Sequence, residues 1–168
     1  SLLMIFCLSI MAYAQTPQDR ATELKKQAQS SLNQKDYIKA RYLFKKAYEA
    51  FASRENYPQA IECGVQANAL YVRENFYKEG FELCRDMEQL LWTGEQNKKK
   101  VFYDLRFLIN KERLQMYTAL KNPAQAKTQL DKLEEMANLA KNDSLTEVLL
   151  YTKANYYYRL RRVRQICL

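Results

Sequence analysis

The sequence predicts an all-α protein built from antiparallel helical hairpins. Its 168 residues are 48% hydrophobic but include only three glycines and three prolines, so turn signals for a sheet are scarce. Each proline falls near a predicted helix start, where its missing N–H is not needed. Related stretches recur 40 residues apart from Ala40 to Gly80 and 46 apart from Gly80 to Ala126, which favours a helical repeat over a plain helical bundle.

The N-terminus predicts export. The first fourteen residues, SLLMIFCLSIMAYA, carry no charge and end in Ala-Tyr-Ala, which is typical of a secretory signal peptide cleaved before Gln15. The stretch is shorter than the roughly 20 apolar residues of a spanning helix. Phe6 precedes Cys7, where a lipoprotein signal has a small residue, so no lipid anchor is expected. The predicted location is the periplasm; the alternative is a buried N-terminal helix.

Capping residues mark the helix starts. Thr16 and Asn122 each precede a proline at the first helical position, Asn56 stands two residues before Pro58, and Ser144 to Glu147 forms a capping box. Short connections make successive helices antiparallel neighbours. The predicted helices are 17–34, 37–53, 58–74, 77–92, 101–120, 123–141 and 144–160.

One connection differs from the others. The stretch TGEQNKKK, from Thr93 to Lys100, is polar and rich in lysine. It predicts an exposed loop whose lysines are surface charge.

Three turns share a residue pattern. A small residue follows the turn, a second core residue comes four positions later, and a third comes three after that. The small residue lets two helices approach closely, and the other two share its face and close the hairpin core. With an upstream residue first, the three sets are Ser31, Ala40, Phe44 and Ala47; Tyr71, Gly80, Cys84 and Met87; and Tyr117, Ala126, Leu130 and Leu133.

The stretch KDYIKARYLFKKA, residues 35–47, resembles the tetratricopeptide repeat, in which alanine opens the second helix and aromatic or aliphatic residues follow at these offsets. The resemblance covers roughly residues 17–160. It implies a right-handed solenoid of about three complete repeats plus one half repeat, the domain being residues 15–160. Gly80, Cys84 and Met87 depart from the family's usual choices. Units longer than the family's 34 residues imply extended helices or longer connections.

The resemblance also implies a binding surface. The first helix of each unit would line a concave groove for a peptide or a partner's helix. Amide, lysine and tyrosine side chains can hydrogen bond a peptide backbone and add apolar contact, although each one is also compatible with an ordinary solvated position. The lining residues would be Lys25, Gln29, Asn33, Glu62, Gln66, Arg73, Lys111, Gln115, Tyr151, Asn155 and Tyr158.

One known binding mode of the family is not expected. A subgroup grips a C-terminal carboxylate with paired lysines and asparagines across repeats. Lys25 fits that pattern, but Ala69, Leu108 and Glu112 occupy the other places.

No motif points to catalysis, a cofactor or a metal. The chain has no histidine, so Ser-His and Cys-His pairs and the HExxH metal motif are excluded, and it has no CxxC pair for zinc. Its three glycines are too scattered for a phosphate-binding loop. Cys63 and Cys84 could form a disulfide in an oxidising compartment, but each lies on an apolar helix face, where a free cysteine packs as a small hydrophobe.

The C-terminus, NYYYRLRRVRQICL, is basic and aromatic. The net charge is +8, and the tail supplies four arginines: Arg159, Arg161, Arg162 and Arg164. Ala154 and Tyr157 stand 40 residues after Leu114 and Tyr117, so helix 144–160 opens a fourth unit without a matching second helix. Residues 161–168 are interpreted as an irregular basic tail of a truncated or frameshifted chain. We expect self-association through the apolar face of helix 144–160 and no nucleic-acid partner.

Three functions follow from these patterns. The favoured one is an exported module that binds a protein or peptide. Such units resemble the extracytoplasmic regions of Gram-negative, Bacteroidetes-type sensor kinase-like proteins, which implies the sensory part of a signalling protein, attached to a membrane only through a region beyond Leu168. The second is a free-standing periplasmic scaffold or assembly factor. The third, a nucleic-acid-binding helical repeat, is favoured by charge and tyrosine content and opposed by the signal peptide.

Overall fold

The computed structural model describes residues 17–166, and the side chains of residues 20–161. The predicted signal peptide, its cleavage before Gln15, and Cys167 lie outside the described residues. Within the described part the chain is all-helical, as predicted, with no strand. Its helices are α1 (Pro17–Asn33), α2 (Tyr37–Ala52), α3 (Tyr57–Arg73), α4 (Tyr77–Lys98), α5 (Tyr103–Ala119), α6 (Pro123–Ala140) and α7 (Asp143–Ile166).

The helices follow a regular spacing. They begin at residues 17, 37, 57 and 77, and again at 103, 123 and 143. Consecutive helix starts are therefore separated by twenty residues, except for one step of twenty-six between α4 and α5. Each helix packs against the next, and α5 also packs against α3. The 40- and 46-residue spacing in the sequence arises because one helical unit carries six additional residues.

The turns are also alike. In each of the connections before α2, α3, α4, α6 and α7, the residue two positions before the helix has a positive φ of 50–63°, although it is never glycine. In four of them the next residue donates its backbone N–H to a carbonyl five residues back, at 2.9–3.1 Å. Those carbonyls belong to Ser31, Phe51, Tyr71 and Tyr117. Three of these are the upstream residues of the predicted repeat, so the predicted register is confirmed.

The caps follow the sequence closely, with one correction. Asp36, Asn56 and Asn122 each accept a hydrogen bond from the backbone N–H three residues later, at 3.1–3.4 Å. The predicted capping box at Ser144 is wrong, because α7 begins at Asp143. Asn142 takes the capping position instead, and its side-chain oxygen accepts from the Ser144 N–H at 3.0 Å.

The predicted hairpin core is confirmed. In all three sets, the small residue and the core residues four and seven positions after it are buried. Gly80 shows why the first must be small. A Cβ at Gly80 would lie 2.7 Å from the Sδ of Met116 and 3.0 Å from the Oδ1 of Asn68, both closer than van der Waals contact allows.

The exposed loop predicted at Thr93 to Lys100 is wrong, because α4 continues to Lys98. Gly94 and Glu95 are buried rather than solvated. Gly94 packs against the ring of Tyr57, where a Cβ would come within 2.5 Å of Cζ. Glu95 accepts hydrogen bonds from the Phe102 backbone N–H at 3.0 Å and from Arg106 Nε at 2.8 Å. These tertiary contacts hold the polar stretch in helical form.

The last helix is also longer than predicted. Its backbone is helical to Ile166, six residues past the predicted end at 160, so the basic tail is not irregular over residues 161–166. No helix in the described part of the chain is long and apolar enough to cross a membrane.

The buried apolar residues form two clusters. The N-terminal core is built by α1–α4 and one face of α5, and it contains Phe44, Ile61, Met87 and Leu91. The C-terminal core is built by α5–α7 around Phe107, Leu114, Leu130, Leu133 and Tyr156. Because α5 contributes to both, it joins the two parts of the fold.

Candidate binding groove

The predicted groove residues lie on α1, α3, α5 and α7. These helices contact one another in sequence, since α1 is bridged to α3 by side chains, α3 packs against α5, and α5 and α7 share a cleft. Each of the four helices is therefore next to another member of the set. The groove residues divide into an α1–α3 set, a short stretch at the end of α3, and an α5–α7 set.

In the α1–α3 set, predicted lining residues bind each other. Lys25 Nζ lies 2.7 Å from Glu62 Oε2 and donates to Gln59 Oε1 at 2.9 Å. Gln29 Nε2 donates to Asn33 Oδ1 at 3.1 Å. The Lys25–Glu62 pair leaves no net charge at its position and, as a partly exposed pair, contributes under about 1 kcal/mol. This end of the surface is already internally satisfied.

The middle of the surface is sparser. Arg73, at the end of α3, stacks its guanidinium 4.0 Å from the ring centroid of Tyr37, the first residue of α2. Gln66 is exposed on the same helix. The cation–π contact holds Arg73 toward the end of the α1–α2 hairpin, and so fixes a positive charge at that edge.

The α5–α7 set forms a cleft of about 350 Å³. Four of its lining residues were predicted from the sequence: Lys111 and Gln115 on α5, and Tyr151 and Asn155 on α7. Tyr158, also predicted, does not line this cleft and is exposed elsewhere on α7. Sequence reasoning missed the remaining lining residues, which are Val72, Leu114, Thr118, Ala119, Thr152, Tyr156 and Arg159.

Helical spacing could have found most of the missed residues. On α5, positions 114, 115, 118 and 119 follow Lys111 at the three- and four-residue intervals of one helix face. Arg159 follows Asn155 by four residues on α7. It was interpreted as part of the basic C-terminus and not as a groove residue, although the predicted helix 144–160 already included it.

The cleft is positively charged and partly apolar. Lys111 and Arg159 lie on its two walls, and none of the described residues that line it carries a carboxylate. Thr118 and Thr152 donate their hydroxyls to carbonyls of their own helices at 2.7 Å. Tyr156 is buried, and its hydroxyl donates to the Pro123 carbonyl at 3.4 Å. The two cations therefore dominate the electrostatics of the cleft.

Glu112 does not face this cleft. It is buried between α3 and α5, and its Oε2 accepts from Asn68 Nδ2 at 3.1 Å. Burial raises the pKa of the Glu112 carboxyl, while the hydrogen bond from Asn68 and the charge of Lys111 oppose that rise. Because its side chain lies inside the fold, Glu112 joins the two helices and is not available to a ligand.

The described residues include neither a reactive cysteine nor a group of metal ligands. Cys63 and Cys84 are free and buried, and burial raises the pKa of each thiol to about 12, so both are protonated at neutral pH. Between residues 20 and 161, no three His, Cys, Asp or Glu side chains are grouped to hold a metal ion. The arrangement of the α5–α7 cleft is suited to binding.

Comparison with known proteins adds no relative. No family model matches the chain, and neither a curated protein nor a solved structure matches it.

Proposed function

We propose that this protein is an interaction module that binds an acidic peptide segment in the α5–α7 cleft. The observation that carries the proposal is the pairing of Lys111 and Arg159 on opposite walls of an open cleft whose described lining has no acid. A carboxylate-bearing segment would neutralise both cations. Long-range attraction between its carboxylates and the two cations would also speed association.

The other lining groups suit a peptide. Leu114 and the ring of Tyr151 give apolar surface, and tyrosine supplies contact area at low entropic cost. Gln115 and Asn155 place exposed side-chain amides in the cleft. Amides combine donors and an acceptor, so they can bond the backbone of an extended chain.

Selection from random peptides tests this proposal. The 168-residue chain would be used to select from displayed random dodecapeptides, and affinities of the selected peptides would be measured by fluorescence anisotropy. We expect enrichment of Asp and Glu beside one apolar residue, and weaker binding as salt screens the cations. Lys111→Glu and Arg159→Glu should each lower affinity about tenfold or more.

The matched control is Lys132→Glu, which changes the same charge at an exposed position on α6 outside the cleft. It should leave affinity within about twofold of the parent. Selection of basic or neutral peptides, or equal losses in Lys111→Glu and Lys132→Glu, would refute the cleft as the acidic-peptide site.

We also propose that the module is exported and serves a sensor or a periplasmic scaffold. This rests on the apolar N-terminus and on the resemblance of residues 35–47 to a tetratricopeptide repeat. Expression in a Gram-negative host should yield periplasmic protein that begins at Gln15. Cytosolic protein that keeps residues 1–14 would contradict export.

A further inference from the structure

α7 has an exposed apolar face opposite its buried one. Leu149 and Tyr156 pack into the C-terminal core. Around the helix from them, Leu150, Tyr157 and Tyr158 are 62%, 50% and 66% exposed. Several large apolar side chains exposed on one helix face are typical of an interaction surface.

This face is symmetric about Ala154. Aromatic residues lie three positions to either side of it, large apolar or aromatic residues lie four positions to either side, and opposite charges lie seven positions to either side. Offsets of three, four and seven place residues on one face of a helix. All members are exposed: Glu147, Leu150, Tyr151, Ala154, Tyr157, Tyr158 and Arg161.

The symmetry has a direct consequence for pairing. If two copies of α7 pack antiparallel about a two-fold axis through Ala154, each residue meets the residue at the same distance on the other side. Tyr151 then meets the partner's Tyr157, and Leu150 meets the partner's Tyr158. The small Ala154 at the crossing point lets the helices approach closely.

The charges fit the same arrangement. Glu147 and Arg161 are separated by fourteen residues, about 21 Å along a helix at 1.5 Å per residue. In the antiparallel pair Glu147 faces the partner's Arg161, and two-fold symmetry forms this ion pair twice. A parallel pair would instead place like charges together.

We propose that the exposed face of α7 is a homodimer interface, formed antiparallel about Ala154 with a second copy of this chain. The self-complementary order of acid, apolar group, small residue, apolar group and base favours a second copy over an unrelated partner. Tyr151 belongs to both this face and the α5–α7 cleft, whereas Glu147, Ala154 and Arg161 do not line the cleft, so variants at these three positions test dimerisation separately from peptide binding.

Charge exchange tests the pairing. Sedimentation velocity of the 168-residue chain should show a dimer at about 100 μM. Glu147→Arg and Arg161→Glu should each weaken dimerisation at least about tenfold, because each places like charges opposite one another twice. An equimolar mixture of the two variants should form a heterodimer, and the double variant should dimerise like the parent.

Two further variants control for folding and for charge. Glu135→Arg makes the same charge change at an exposed site on α6 and should dimerise like the parent. Ala154→Arg should give a monomer with unchanged helical circular dichroism, because it blocks the crossing point at an exposed position. A monomeric parent, a mixture that stays monomeric, or self-association unaffected by all of these changes would overturn the proposal.

Discussion

The N-terminal and C-terminal cores are built from the same twenty-residue helix-and-turn unit but differ in what they bury. Among the described side chains, the N-terminal core contains 21 buried apolar residues across five helices, and the C-terminal core contains eight across three. Up to residue 161, α7 leaves five large hydrophobic side chains exposed. Because each unit of a repeat is stabilised mainly by its neighbours, identical local structure gives unequal stability. We expect the C-terminal core to open first.

α5 couples the two cores through different faces. Leu105, Ile109 and Met116 pack into the N-terminal core, whereas Phe107 and Leu114 pack into the C-terminal core. A helix that is apolar on both sides is held between layers. Its loss would therefore expose both cores.

The largest expected effects come from equivalent positions in the two cores. Phe44→Ala should lower the free energy of unfolding by about 3–5 kcal/mol, because the side chain is almost fully buried. Leu130→Ala should cost about 2–4 kcal/mol and act mainly on α6 and α7. Hydrogen exchange should show faster exchange across α1–α4 in the first variant and only from α5 onward in the second. A uniform loss of protection in both variants would mean that the cores unfold as one.

The junction of the cores should be the next most sensitive. Glu95→Ala removes the acceptor of Arg106 and of the Phe102 N–H, and should cost about 3 kcal/mol, measured by chemical denaturation. Its hydrogen bond with Arg106 lowers the pKa of Glu95, so the stabilisation is present above the ordinary carboxyl pKa and is lost as pH falls through the folded one. Gln96→Ala, at an exposed neighbouring position, is the control. Equal stabilities for the two variants would show that the hydrogen bonds of Glu95 with Arg106 and the Phe102 N–H do not stabilise the fold.

A stabilising change is expected at Glu112, where α5 meets α3. The pKa of Glu112 is raised in the folded state. Its contribution to the stability of the fold is therefore greatest below the ordinary carboxyl pKa and is lost as pH rises through the folded pKa. Glu112→Gln should therefore increase stability at neutral pH by about 1–2 kcal/mol. The new amide can also donate to Asn68 Oδ1, which is buried without a partner among the described residues. Thermal melts from pH 4 to 8 should show the gain increasing with pH; a loss at pH 7 would contradict the argument.

The smallest effects should come from the turns. Lys35 and Lys141 have φ values of 63° and 50°, a conformation that costs non-glycine residues roughly 1 kcal/mol. Lys35→Gly and Lys141→Gly should each stabilise by up to about 1 kcal/mol, with Lys39→Gly inside α2 destabilising by a similar amount as the control. If the C-terminal core opens first, a thermal melt should show an early transition in which this core unfolds. Only Lys141→Gly should then raise the temperature of that transition. The same rise in Lys35→Gly would count against independent opening.

Local sequence patterns predicted most of the fold. Helix starts at Tyr37 and Pro123 were placed correctly, because an N-cap or a proline acts on the residues beside it. The start at Tyr77 was also correct, although no side chain caps that helix. The repeat register was also correct, since the small residues at Ala40, Gly80 and Ala126 are all buried, although Gly80 also packs against Met116 of α5. Interactions between residues a few helical turns apart can be predicted from the local sequence, because the residues that make them are close together in the chain.

The sequence alone therefore determined the helices, their capped turns and the apolar face of each hairpin, because these depend on residues close in the chain. Tertiary structure decided the rest. Gly94 and Glu95 belong to a helix because Gly94 packs against Tyr57 and Glu95 accepts a hydrogen bond from Arg106, and both contacts are tertiary. The same holds for the groove: Lys25 is paired with a residue 37 positions away, while Lys111 comes together with the missed Arg159. The charge that a surface presents depends on which distant side chains neutralise one another, and a linear pattern does not contain those distances.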